Sequence, residues 1–204
     1  MSNIITVSRE FGSGGREVGK RLADELGYAY YDREILEEIA KETNMSEWYV
    51  ENVLEKGVPR STVLHFGRSF SYYSPVTQQA INLLVAERNV IKVLAAKGDC
   101  VIVGRGANTV LTEEHSFNIF VYADMESKVA RCRARASEDE KLTDKELEKK
   151  IKQIDSARAK SQEMVANFKW GDKRGYHLCV NTSGMSIKQM IPALAAYAKQ
   201  WLEG

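Results

Sequence analysis

The stretch Ile4-Ile5-Thr6-Val7-Ser8-Arg9-Glu10-Phe11-Gly12-Ser13-Gly14-Gly15-Arg16-Glu17 decides the fold. It opens on a β-branched run, Ile4 to Val7, suited to a buried strand, and meets turn chemistry at Gly12 to Gly15. Beyond it Val18, Leu22 and Leu26 recur at helical spacing until Gly27 stops the pattern. The order strand, glycine loop, helix gathers free backbone N–H groups and the positive end of a helix dipole at one point, which favours phosphate. A tight strand-to-helix connection with no ligand is the competing reading of the same loop. Literal motif matching misleads here. Gly14 to Lys20 fits G-x-x-x-x-G-K, but Arg21 follows where that loop needs Ser or Thr. The helical period also leaves Lys20 on the outer flank of a helix already under way. A dinucleotide fingerprint fails as well, because Glu17 stands where the third small residue belongs.

Outward from this stretch, strands and helices alternate. Tyr28 to Tyr31 reads as a short strand, and Ile35, Leu36 and Ile39 give a helical period to residues 33–41. Met45 to about Ser74 has no clean period, which suits short helices and loops over a binding cleft. Ala80, Leu83, Leu84, Ile91 and Leu94 predict a long helix over 76–97, ending near Gly98. Cys100 to Val103 is a continuous apolar run ending in Gly104-Arg105-Gly106, as buried parallel strands do. Phe117 to Tyr122 and Leu178 to Asn181 are the later strands. This alternation argues for βαβ units and a parallel sheet covered on both faces. Ser186 and Gln189 resemble a capping box for a last helix, which Pro192 is expected to kink or to shorten toward Met190.

A chain of 204 residues, 44% hydrophobic and 28% charged, has material for a single domain with its own core, and no repeat or linker divides it. A formal charge of +1 provides no global field for nucleic acid or anionic membranes, so any basic site is local. No apolar run approaches the ~20 residues of a membrane span. The N-terminus lacks the pattern of a secretory signal, so a cytoplasmic location is expected. Cys100, Cys132 and Cys179 are odd in number and widely spaced, which excludes a disulfide framework, and with His65, His115 and His177 they form no metal-ligand spacing. Residues 126–174 hold 14 Lys and Arg against 10 Asp and Glu, concentrating the basic charge. A solvated helical hairpin laced with charge pairs is the plain reading of that segment.

Taken in order, Ser8 to Glu17, Leu26-Gly27-Tyr28, Tyr31-Asp32, Gly104-Arg105, Asp155 with Arg158, Trp170-Gly171-Asp172 and Leu178 to Asn181 resemble the cytidylate kinase-like branch of the P-loop nucleoside monophosphate kinases. The resemblance covers almost the whole chain. It implies an α/β fold of P-loop NTPase type: three α/β/α layers, a five-stranded parallel sheet and a helical lid. It further implies one domain over 1–204, with a nucleotide-binding insertion at about 32–97 and a lid at about 126–174.

Carried over residue by residue, Gly12, Ser13 and Gly14 line the phosphates, and Gly15 stands where a Walker loop has its lysine, followed by Arg16 and Glu17. Arg16, the nearest cation after the glycines, is expected to take the lysine's role, with Arg9 from the other side of the loop as an open alternative. Arg105 resembles the arginine that grips the acceptor's phosphate, although Gly106 stands where the family has an acid. Asp32 is expected beside the acceptor or as a helix cap. Arg131 and Arg135, four residues apart, share a helix face and are expected to close with Arg158 over the transferring group, while Arg133 points elsewhere. Asp155, three residues before Arg158, is placed to orient it. The implied function is an ATP-dependent phosphotransferase using ATP and Mg²⁺ on a nucleotide or another small phosphorylated acceptor. No protein metal site, nucleic acid or membrane partner is expected. The alternative is a non-catalytic nucleotide-binding module acting as a sensor or partner-binding protein.

Overall fold

The computed structural model describes residues 2–56, 75–136, 142–163 and 165–204. Its elements are β1 (Ile4–Arg9), α1 (Gly15–Leu26), β2 (Ala29–Tyr31), α2 (Glu34–Thr43), α3 (Glu47–Lys56), α4 (Pro75–Ala96) and β3 (Cys100–Val103). They continue with α5 (Ala107–Val110), β4 (Ser116–Tyr122), α6 (Met125–Arg135), α7 (Asp144–Glu163), β5 (Leu178–Asn181) and α8 (Ile187–Glu203). The five strands form one parallel sheet in the order β2-β3-β1-β4-β5. Each connection is long enough to carry a helix, as parallel pairing demands.

Strand alternation sorts the core into two layers. On β1 the odd residues Ile5 and Val7, with Val101, Val103, Phe117, Ile119 and Val121, face α1 and α8. Ile4, Cys100 and Ile102 face the other way, against α2, α4 and α5. Toward the carboxyl edge that second face turns polar. Thr6 Oγ1 donates to Asn118 Oδ1 at 2.6 Å, and Ser8 pairs with Asn108 at 3.4 Å. Ligands of open parallel sheets sit outside the carboxyl ends of the strands, and β1 and β3 end side by side there.

One local expectation changes. Helix α8 starts at Ile187 and keeps Pro192 inside it, with no side-chain capping bond from Ser186. Pro192 lies on the solvent face, where water can take the carbonyl that loses its partner, so the helix need not begin later. In the stretch without a period, Glu47–Lys56 is a helix and residues 57–74 lie outside the described residues.

Candidate active site

Strand β1 delivers Arg9 to the carboxyl edge, where it threads between two glycines. A Cβ on Gly15 would come within 2.3 Å of Arg9 Cβ, and one on Gly104 within 1.7 Å of Arg9 Nη1. Arg9 is only 9% exposed, and Asp32 is 3.9 Å from its guanidinium. Burial, then Arg158, pulls the Arg9 pKa down to about 9, with Asp32 opposing. A guanidinium keeps its proton in a protein. The shift therefore expresses the cost of a buried cation facing other cations, a cost that an anionic ligand would relieve.

The glycine loop is clamped from above. Gly12 and Gly14 both take left-handed φ, 78° and 82°, which lets the chain turn tightly into α1. Ser13 Oγ donates to Glu10 O at 2.8 Å, and Thr182 Oγ1 donates to Ser13 O at 2.7 Å. Arg131 donates to Ser13 O at 3.4 Å and to the hydroxyl and carbonyl of Thr182. On the other flank the Phe11 N–H donates to Asp155 Oδ1 at 2.7 Å. Buried Lys128 bridges Glu10 at 2.6 Å and Asp155 at 3.3 Å. Arg158 Nη1 donates to Arg9 O at 3.2 Å, and its guanidinium lies 5.7 Å from the Phe11 ring centre. Burial raises the Asp155 pKa, against the Phe11 N–H and Lys128, which favour its charge.

These contacts place the residues singled out from the sequence. Arg9, Gly12, Gly14, Gly15, Arg16, Arg131, Arg135 and Arg158 line one cavity of about 380 Å³ over the loop. Ser13 lies beneath it, fully buried. Asp155 reaches back to the loop's Phe11 N–H and to Lys128, and the charge of Arg158 on its own helix also favours its ionised form. Asp32 is buried and takes Arg16 at 2.7 Å; α2 begins after Arg33 with no side-chain capping bond, so the cap is not made. Glu17 pairs with Arg21 at 2.9 Å and with Arg135 at 2.8 Å. Arg133 turns outward to Asp144 at 2.6 Å, and Lys20 pairs with Asp24 at 2.9 Å on the outside of α1.

Arg105 lines a second cavity, bounded by Ser8, Gly104, Glu87, Arg88 and Trp170. It holds the left-handed φ of 57° in a non-glycine turn. This second cavity also contains Arg9 and Arg158, so the two cavities meet at those arginines. Lys128, Thr182 and Glu87 were not singled out from the sequence. Glu87 alone carries a readable signal: it interrupts the apolar stripe of Leu83, Ile91 and Leu94 on α4.

Among solved structures the chain is similar to an uncharacterized protein from Eubacterium ventriosum, at 24% identity and a TM-score of 0.69, covering 97% of this chain and 98% of that one. It is also similar to shikimate kinase from Bacteroides thetaiotaomicron, at 17% identity, a TM-score of 0.59 and 100% of both chains. A gluconokinase from Sinorhizobium meliloti follows at 13% identity, a TM-score of 0.56, and 99% and 94% coverage. These likenesses establish the kinase-type fold. No curated protein matches the chain. Among the described residues no helix is long and apolar enough to cross a membrane. The family model described as the cytidylate kinase-like family matches residues 4–184, and with the glycine loop between β1 and α1, the parallel sheet and the fold in agreement, the chain belongs to that family.

Proposed function

We propose that the protein is an ATP-dependent phosphotransferase, with the triphosphate over the glycine loop and a small anionic acceptor beside Gly104 to Gly106. The observation that carries this reading is the junction of the two cavities at Arg9 and Arg158. A phosphoryl group passing from one cavity to the other crosses two guanidinium groups at the point where its charge develops. Arg9 takes the role of the missing lysine in this reading, because it is buried and its side chain occupies the space beside Gly15. Arg16, with its side chain 57% exposed and paired with Asp32, is the second cation on the loop.

In this reading the described residues of the segment at about 126–174 act as the lid, and those of the nucleotide-binding insertion at about 32–97 wall the acceptor. In the lid, Arg131 holds the loop through Ser13, Asp155 aligns the Phe11 N–H, and Arg158 and Arg135 approach the phosphates. Magnesium takes oxygen ligands and usually arrives on substrate phosphates with one or two carboxylates. Glu10, Glu17, Asp32 and Asp155 each pair with a cation, which fits an ion carried by the triphosphate with Asp32 or Glu17 as an added oxygen. Such an ion would supply charge neutralisation at the phosphates.

The test is calorimetric titration with Mg-ATP, followed by ADP release in the presence of nucleoside monophosphates and other small phosphorylated acceptors. Binding with saturable, acceptor-dependent ADP release is the expected result. Binding without transfer to any acceptor points to the non-catalytic module, and no binding removes the donor site.

A further inference from the structure

Helix α4 places a carboxylate where its apolar stripe calls for leucine. Leu83, Val90, Ile91 and Leu94 are buried on that face, and Glu87 among them is 9% exposed. A carboxylate in this position costs stability that a leucine would not, because burial disfavours its charge. Burial pushes its pKa up to about 7, with Arg105 opposing. Glu87 borders the acceptor-side cavity, where it is the only carboxylate among the described lining residues. The other charged groups there are Arg9, Arg88, Arg105 and Arg158. Apolar side chains such as Trp170, Leu84 and Val110, with polar ones such as Ser161 and Gln162, complete the walls.

Arginines beside an apolar wall select an organic anion, but they do not explain a carboxylate. A carboxylate in a cavity whose other charges are guanidinium groups weakens the attraction for any anion and rejects one that brings no hydrogen-bond donor. It offsets that loss when the ligand carries a hydroxyl, because a buried carboxyl oxygen left without a hydrogen-bond partner is costly and a site built to receive a donor discriminates against the analogue lacking it. We propose that Glu87 is a specificity residue that accepts a hydroxyl of the acceptor, so that the acceptor is a hydroxylated organic anion, either a carboxylate or a phosphate ester. This deepens the phosphotransferase reading and rests on it for the word acceptor.

The experiment first titrates wild type, Glu87→Met and Glu87→Gln with a non-hydrolysable ATP analogue and Mg²⁺, which reads the donor cavity alone. Each protein, with and without the analogue, is then titrated with gluconate beside hexanoate, and with cytidine 5′-monophosphate beside methyl phosphate. In wild type at least one hydroxylated probe is expected to bind about 10-fold or more tightly than its hydroxyl-free counterpart. The pair that shows the gap tells a carboxylate from a phosphate ester. Glu87→Met should erase the gap, and Glu87→Gln, which keeps a carbonyl acceptor, should restore part of it, with analogue binding unchanged in both. A gap that survives in Glu87→Met, or no gap in wild type, including no binding of either hydroxylated probe, overturns the proposal. Failure of the ATP analogue to bind wild type counts against the donor site and not against Glu87.

Discussion

Arg9 and Gly104 are fitted to each other: a methyl group on Gly104 would occupy the place of Arg9 Nη1, 1.7 Å away. The glycine also holds a φ of 78°, which L side chains rarely adopt. Gly104→Ala is therefore expected to push the guanidinium out of the junction between the cavities. A loss of about 1 to 2 kcal/mol in unfolding free energy is expected from the left-handed backbone. A fall in phosphoryl transfer well beyond what that loss explains, with the protein still folded by circular dichroism, is the expected signature.

Replacing the arginines one at a time separates their roles. Arg9→Ala should lower kcat/KM by on the order of 10²-fold or more, the scale of losing one charge contact in the transition state. Arg16→Ala should cost less, because that side chain is half-exposed and paired with Asp32. Lys20→Ala should leave turnover near wild type. A larger loss from Arg16→Ala than from Arg9→Ala would return the lysine's role to Arg16.

The arginines of α6 and α7 divide in the same way. Arg133 meets Asp144 in solvent, so Arg133→Ala is expected to change stability by only about 0 to 1 kcal/mol and turnover hardly at all. Arg131 ties α6 to Ser13 and Thr182, and Arg131→Ala should loosen the loop and weaken ATP binding along with turnover. Arg158→Ala should lower single-turnover rate more than ATP affinity, since a contact at the junction strengthens as charge develops there. Equal, near-wild-type rates for the three variants would remove the lid reading.

The first βα unit was legible because its signals are local: a β-branched run, loop glycines and a helical period act on neighbours in the chain. The sheet followed, since continuous apolar strands between helices have few alternatives to parallel pairing. Partners across the fold were not legible. Spacing put Asp155 on a face with Arg158, whose charge it feels, but could not show that its carboxylate takes the Phe11 N–H, 144 positions away. Spacing fixes which residues share a helix face; it does not say what that face meets. Thr182 had no signal for the same reason, its bond to Ser13 joining the two ends of the chain. Glu87 did have one, because a charge inside an apolar stripe is an inconsistency between local pattern and burial, and such inconsistencies gather at functional sites.

At the opposite edge of the sheet, Trp201 is stacked between His115, at 4.6 Å, and His177, at 4.4 Å. His177 Nδ1 accepts the Asn118 N–H at 3.0 Å, and burial, then His115, holds its pKa below the ordinary value. A histidine with a lowered folded pKa leaves the unfolded chain with more protons. The stability it contributes is thus present above about 6.5 and lost as pH falls through the folded pKa. Urea denaturation should show wild type losing stability from pH 7.5 to 5.5 more steeply than His177→Phe, which keeps a ring but cannot titrate. Parallel pH curves would contradict this.

Glu87 has the opposite sign. Its folded pKa, about 7, lies above the unfolded value, so the folded chain holds the extra proton between the two. The favourable contribution is complete below the unfolded pKa, about 4.3, and disappears as pH rises through 7. Above that, the folded protein must bury a carboxylate charge that Arg105 only partly offsets. Glu87→Gln removes the titration while keeping the size of the side chain. At pH 5 the variant and wild type should differ little, whereas at pH 8.5 the variant should be more stable, by on the order of 1 to 3 kcal/mol. Denaturation of both proteins across pH 5 to 8.5 measures the difference. If Glu87→Gln is instead less stable at pH 8.5 than at pH 5 relative to wild type, the ionised carboxylate is a net stabilising partner of the arginines, and its place in the apolar stripe is structural.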